Sequence, residues 1–267
     1  MESRIERGRP DQRSDGPRAP DDGPEDIVVR AIDYPAGSRT GRHRHKRAQL
    51  VYAKAGTMTV STPLGLWVVP PQRAVWIPAG IEHEVRMAGP VSMRTLYIRP
   101  AAAPSLPTRC SAVNVTPLLR ELILAAAALP TRPVSNGRAE RIAALILDEI
   151  CMLPVAPLHL PEPRDPRLRR IAAALMRDPA DPRRLRDWSR TVGASSRTIA
   201  RLFERETGMT FRQWQRQARL LSALPRLAEG EAVTTVALDL GYGTPSAFIE
   251  MFRRAMGTTP GRYFSDP

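Results

Sequence analysis

The chain has 267 residues, with 40 Lys and Arg against 27 Asp and Glu, a formal charge of +13 and 42% hydrophobic residues. That length suits two modest domains, each able to bury a core, and the positive balance points to a polyanionic partner. No apolar run reaches the roughly 18 residues of a membrane span, the longest, Leu118–Leu129, being broken by Arg120 and Glu121.

All the basic residues except Lys46 and Lys54 are arginine. A GC-rich genome would also produce that bias, so charge by itself does not establish DNA binding. The opening segment MESRIERGRPDQRSDG has no apolar stretch, and no secretory signal is expected. Cys110 and Cys151 are far apart and form no CxxC, so a reducing cytoplasm without a disulfide framework is expected.

Residues 1–25 are rich in Arg, Asp, Pro and Gly and are expected to be disordered. From residue 26 to about 112, short β-branched and apolar runs alternate with Gly and Pro: Gln49–Ala53, Thr57–Ser61, Leu66–Val69, Val75–Ile77, His83–Met87 and Met93–Ile98. This spacing predicts an antiparallel barrel or sandwich. Tyr52, Met58, Trp67, Trp76 and Met87 are expected in its core or pocket wall. Residues 113–153 change to helical period in two segments split by Pro130–Pro133, with Glu149 breaking the second stripe. These helices either pack on their own barrel or supply a homodimer interface. Residues 154–166 hold five prolines and read as a semi-stiff linker, with His159 a solvated residue in it. The remainder, 167–265, is helical. The fold class is therefore α+β: an antiparallel β-barrel, a helical pair, then an all-α domain.

That last domain contains a repeat. LRDWSRTVGASSRTIARLFERETGMTFRQW (185–214) aligns with VTTVALDLGYGTPSAFIEMFRRAMGTTPGRY (233–263), with one extra residue in the second turn. Each copy has a short apolar helix, a glycine (Gly193; Gly241) and a turn with Ser195 or Ser196, and Thr244 or Ser246, available as a cap. A second helix follows with apolar residues four apart (Ile199 and Phe203; Phe248 and Phe252), then a glycine (Gly208; Gly257) and an aromatic residue (Trp214; Tyr263). This is the grammar of a helix-turn-helix used twice, at about 184–205 and 233–256. In a major groove the first motif would offer Ser196, Arg197, Ala200, Arg201, Glu204 and Arg205, and the second Thr244, Pro245, Ser246, Ile249, Glu250 and Arg253. Residues 183–219 hold ten Arg and three acids, +7, whereas 233–262 hold three and two, +1. The phosphate contacts are expected mainly from the first motif. Glu250 can accept from a cytosine amino group, or it merely repels phosphate.

The stretch LGYGTPSAFIEMFRRAMGTTPGRYF, with RLFERETGMTFRQW as its first-motif counterpart, resembles the AraC/XylS family of bacterial transcription regulators over about residues 165–265. The resemblance implies sequence-specific binding of double-stranded DNA. The chain departs from the pattern at Glu250, where a basic residue is usual, and at Leu224–Pro225, which interrupts the linker helix between the modules and can kink it.

In the β-rich half, His43 and His45 share one strand parity with Gln49, and His83 follows the turn signal Pro78–Ala79–Gly80. This is workable spacing for a metal site. Gly37, His43, His45, Gln49 and Gly56 fit the spacing of the first cupin motif, and Pro78, Gly80 and His83 fit the second. The segment 30–100 thus resembles the cupin barrel, with Gln49 in place of the motif's glutamate, Gln72 in place of a glycine and Met87 in place of an asparagine. Cupin-like sensors often accompany AraC-type DNA-binding domains. Three imidazoles and an amide could hold Zn, Ni, Cu or Fe(II), or the same residues could hydrogen-bond a small-molecule effector. Arg42, Arg44, Lys46 and Arg47 crowd the motif as a solvated face, or favour an anionic effector or DNA. The expected protein is a cytoplasmic regulator and not an enzyme. The rival is a metal-dependent cupin oxygenase or isomerase with a basic appendage, which the missing carboxylate and the absence of an acid–base pair beside the histidines disfavour.

Overall fold

The computed structural model describes residues 6–7, 25–129, 137–152 and 158–265. The chain divides into two compact units, one of Met1–Thr62 and Trp67–Ala156, the other of Pro63–Leu66 and Pro157–Pro267.

In the first unit the strands are β1 (Glu6–Arg7), β2 (Ile27–Tyr34), β3 (Ala48–Ala55), β4 (Met58–Thr62), β5 (Gly65–Val69), β6 (Arg73–Ile77), β7 (Glu84–Met87), β8 (Val91–Ile98), β9 (Ser111–Asn114) and β10 (Cys151–Met152). One sheet runs β1-β2-β8-β3-β6-β9-β10, and the other contains β5-β4-β7. Except for the parallel β1–β2 pair, the recorded pairings are antiparallel. Apart from β1 and Glu25, the N-terminal segment expected to be disordered lies outside the described residues.

Strand alternation divides the larger sheet into two faces. Leu50, Tyr52, Trp76, Leu96, Ile98 and Val113 point to one side, where they join Leu119 and Ile123 of α1 (Pro117–Ala127) and Ile142 and Ile146 of α2 (Arg138–Glu149) in a single core. The two helices thus pack on their own sheet. Glu149 ends that apolar stripe by accepting from the Thr116 hydroxyl at 3.2 Å. Residues of opposite parity, among them Gln49, Thr95 and Tyr97, lie on the other face and are buried as well. Tyr52, Met58, Trp67, Trp76 and Met87 are all buried. Cys110 is a buried free thiol, its pKa pushed up to about 11 by burial.

The second unit begins its described part with β11 (His159–Pro161), followed by α3 (Pro166–Arg177), α4 (Leu185–Val192), α5 (Ser196–Thr207), α6 (Phe211–Ala228), α7 (Val233–Asp239), α8 (Pro245–Met256) and α9 (Pro260–Ser265). Two expectations are corrected here. His159 is not a solvated linker residue: β11 lies along Leu64 and Gly65, and burial lowers the pKa of its imidazole. Pro225 does not interrupt the linker helix, since α6 runs unbroken through it. The proline falls in the last turns, and burial of Leu220, Leu221, Leu224 and Leu227 offsets the missing backbone hydrogen bond.

α6 is the spine of this unit. The Trp214 indole donates to the Pro161 carbonyl at 2.8 Å, Gln217 to that of His159 at 3.2 Å and Arg219 to that of Pro179 at 2.7 Å. At its far end Arg226 is shared by Glu231 and Asp239, tying α6 to α7.

A histidine cluster and two helix-turn-helix units

The backbone brings His43 and His83 together. They form an isolated antiparallel bridge, His43 N–H donating to His83 O at 3.0 Å and His83 N–H to His43 O at 2.9 Å. The Gly80 N–H donates to the His45 carbonyl at 2.8 Å. Gly80 has φ 79°, which the turn before His83 requires and which a side chain would strain. The ring centroids of His43 lie 4.8 Å from His45 and 4.4 Å from His83, and the potential ligand atoms of the three imidazoles lie within 4.8 Å of one another. Among the described residues, no Asp, Glu or Cys joins this group.

His83 is 2% exposed, and burial drives its pKa down to about 4, so the ring is neutral near pH 7. Its Nδ1 lies 2.9 Å from the Ile81 carbonyl and its Nε2 2.8 Å from Gln49 Oε1. The Gln49 amide N–H donates to Thr95 Oγ1 at 2.9 Å and to the Tyr97 hydroxyl at 3.3 Å, while Thr95 donates to the Leu50 carbonyl at 3.1 Å. His43 Nδ1 meets the Gly41 carbonyl at 2.9 Å, and His45 sets its ring edge-on to Tyr97. His43, His45, Gln49 and His83 therefore come together. Thr95 and Tyr97 were not singled out from sequence: they lie in a run that reads as core, and only the β3–β8 register, which sets Tyr97 opposite Gln49, brings them to the site.

The basic residues of the first motif separate. Arg42 is exposed and 3.4 Å from Glu82, and Arg44 and Lys46 are exposed. Arg47 departs from the expected solvated face: it is 4% exposed and donates to the Glu25 and Asp26 carbonyls.

In the second unit, α4 ends at Gly193 with φ 65°, and Ser195 caps α5 by accepting from the Thr198 N–H at 3.1 Å. In the repeat, α7 is followed by Gly241 with φ 77°, and Thr244 caps α8 by accepting from the Ala247 N–H at 3.2 Å. α5 buries Ile199, Leu202 and Phe203 and leaves Arg197, Arg201 and Arg205 exposed, with Ser196 and Ala200 partly so. α8 buries Phe248, Met251 and Phe252. Thr244, Ser246 and Arg253 are exposed, and Pro245, Ile249 and Glu250 are partly so. Glu250 is already engaged: one oxygen takes Arg254 at 2.8 Å and the other takes Arg253 at 3.0 Å. Arg254 and then Arg253 hold its pKa below the usual carboxylate range.

A β-rich sensor-type unit followed by tandem helix-turn-helix modules defines a ligand-responsive DNA-binding regulator. A helix-turn-helix domain model matches residues 188–266, and an AraC-like ligand-binding domain model matches residues 27–178. The chain is 38% identical over 223 residues, 84% of its length and 81% of the relative's, to the HTH-type transcriptional regulator NimR of Escherichia coli K12. It is 34% identical over 122 residues, 46% of its length and 35% of the relative's, to the regulator RipA of Corynebacterium glutamicum. Among solved structures, ToxT from Vibrio cholerae O395 aligns at 11% identity and a TM-score of 0.39, over 90% of this chain and 97% of that one. The chain belongs to the AraC family of helix-turn-helix transcription regulators, with a ligand-binding domain and a DNA-binding domain.

Proposed function

We propose that the chain controls transcription by reading duplex DNA through α5 and α8, and that its sensor takes a divalent transition metal (Zn, Ni, Cu or Fe(II)) at His43, His45, Gln49 and His83. The metal reading rests on proton bookkeeping around Gln49. A neutral His83 carries one ring proton, while each of its nitrogens faces an oxygen that only accepts, Ile81 O at Nδ1 and Gln49 Oε1 at Nε2. Thr95 gives its hydrogen to Leu50, so it accepts from the Gln49 amide and turns Oε1 toward His83. With that proton on Nδ1, His83 Nε2 and Gln49 Oε1 face each other at 2.8 Å as two lone-pair atoms. A cation held by both relieves that contact. His43 has the same arrangement, its Nδ1 directed to Gly41 and its Nε2 left for a ligand. Metal-binding imidazoles commonly aim their other N–H at a backbone carbonyl in this way. When bound, the metal supplies a positive centre that fixes an effector in the sensor.

On DNA, Ser196, Arg197, Ala200, Arg201 and Arg205 contact one stretch of groove, and Thr244, Pro245, Ser246, Ile249 and Arg253 contact the next. Glu250 acts by orienting Arg253 and Arg254. The work divides between a sensor of residues 26–112, a helical pair of 113–153 and a DNA-binding domain of 167–265. The protein acts in the cytoplasm and is not an enzyme, in line with the transcription regulators it resembles. It pairs as a homodimer through the outer faces of α1 and α2, where Leu118 and Leu145 stay exposed.

Footprinting of the full chain on DNA upstream of its own gene, with and without added metal, tests the reading. Arg197→Ala with Arg201→Ala should lose sequence preference yet keep salt-sensitive binding. His45→Ala should keep its footprint and lose the response to metal. A wild-type protein with no footprint at low ionic strength would overturn the regulator reading, and a measurable turnover would favour the cupin enzyme.

A further inference from the structure

We infer that the histidine site binds a small organic anion through a carboxylate-type oxygen, because the donors that the chain supplies are all neutral. This deepens the metal reading above and rests on it. His43, His45 and His83 offer imidazoles, and Gln49 offers an amide oxygen. The nearby acids do not supply the missing charge. Glu82 is directed to Arg42, Glu84 lies 3.8 Å from Arg86, and neither belongs to the ligand group. A divalent cation on these four donors keeps its full charge of about +2 beside side chains as buried as His83 and Gln49, at 2% and 3% exposure. Uncompensated charge in such surroundings is costly, and an anionic ligand cancels part of it.

The route in lies on the side of His43 and His45, which are partly exposed, whereas Gln49, Thr95 and His83 close the back. Gln49 is also held rigidly. Its amide N–H reaches Thr95 and Tyr97, so its oxygen stays on the metal side and cannot be exchanged for a charged group from the chain. The substitution of an amide for a carboxylate therefore transfers one negative charge from the protein to the effector. A sensor built this way couples the two ligands: the anion binds only where the metal is held, and in binding it tightens the metal.

The test uses the full chain loaded with Co(II), whose visible spectrum reports its ligands. Metal stoichiometry is measured first by elemental analysis after dialysis. Azide and acetate are then titrated as probes. The expected result is one metal per chain and a saturable spectral change with each probe, absent from metal-free protein. Gln49→Glu returns the carboxylate to the chain. It should hold the metal about tenfold more tightly or better and lose most of its response to both probes. Protein that holds no metal overturns the metal reading, and this inference with it. Protein that holds one metal per chain but whose spectrum ignores both anions overturns this inference alone. A folded Gln49→Glu protein that responds to the probes like wild type also overturns it.

Discussion

At the scale of single residues, the two modules use different side chains for the same task. Ser195 and Thr244 each satisfy the N–H three residues on, which helix formation leaves without a backbone partner. The neighbouring Ser196 and Ser246, equally plausible caps in the sequence, are left to the solvent-facing side of the helix start. This separates stability from recognition. Thr244→Ala should lower stability in urea by about 1 kcal/mol. Ser246→Ala should change it by less than about 0.5 kcal/mol while weakening DNA binding. Equal losses of stability in the two variants would show that the cap is shared. Trp214 is a larger case. It is 1% exposed, and its indole N–H reaches the Pro161 carbonyl. Trp214→Ala should cost about 3–5 kcal/mol, read from the same urea curves.

At the scale of elements, the start of α3 shows how charge fixes a helix. Asp165 caps it, accepting from the Arg167 N–H at 2.9 Å and facing the Arg167 guanidinium at 2.7 Å. Glu206 of α5 accepts the Arg164 and Asp165 N–H groups at 2.8 and 2.9 Å. The Arg167 hydrogen bonds hold Asp165 down to a pKa of about 2, and the backbone donors, that of Asp165 foremost, lower Glu206. Both carboxyls therefore take up protons more readily in the unfolded chain. Their contribution is complete above the ordinary carboxylate range and is lost as pH falls, that of Asp165 as pH approaches about 2. Asp165→Asn should flatten the acid limb of stability across that window, followed by far-ultraviolet circular dichroism. An unchanged limb would show that the pair contributes nothing. Little of this was legible in the sequence, because Glu206 meets residues 164 and 165 only after folding. What was legible was whatever repeats locally: strand alternation in Gln49–Ala53, the helix stripes Ile199–Phe203 and Phe248–Phe252, and the glycines that end α4 and α5. Register was not legible, so Tyr97 opposite Gln49 could not be read, whereas Arg254 on Glu250 is an i,i+4 helix pair whose spacing the sequence did offer. The burial of His159 and Arg47 also escaped, because short local patterns do not report which distant segment covers a side chain.

At the scale of the whole molecule, the +13 charge is not evenly used. Residues 183–219 carry +7 and 233–262 only +1, and within the second stretch two of the three arginines are engaged by Glu250. Counterion release on binding scales with the phosphates neutralised. The salt dependence of affinity should then belong mainly to α5 and its surroundings, and the contribution of α8 should come more from fit than from charge. Fluorescence anisotropy with a labelled operator duplex across a range of salt concentrations separates the two. Arg190→Ala with Arg212→Ala, exposed arginines that flank α5 outside its groove-facing set, should flatten the slope of log affinity against log salt by about 0.9 for each phosphate left without its arginine, close to two for the pair. Arg253→Ala should flatten it by less than half the amount due to one phosphate, since its guanidinium is already partly neutralised. Equal changes in slope would mean that both modules grip the backbone alike and that Glu250 releases its arginines on DNA. In that case the carboxylate would be free at the interface, and the reading of Glu250 as an orienting group would give way to direct contact with a base.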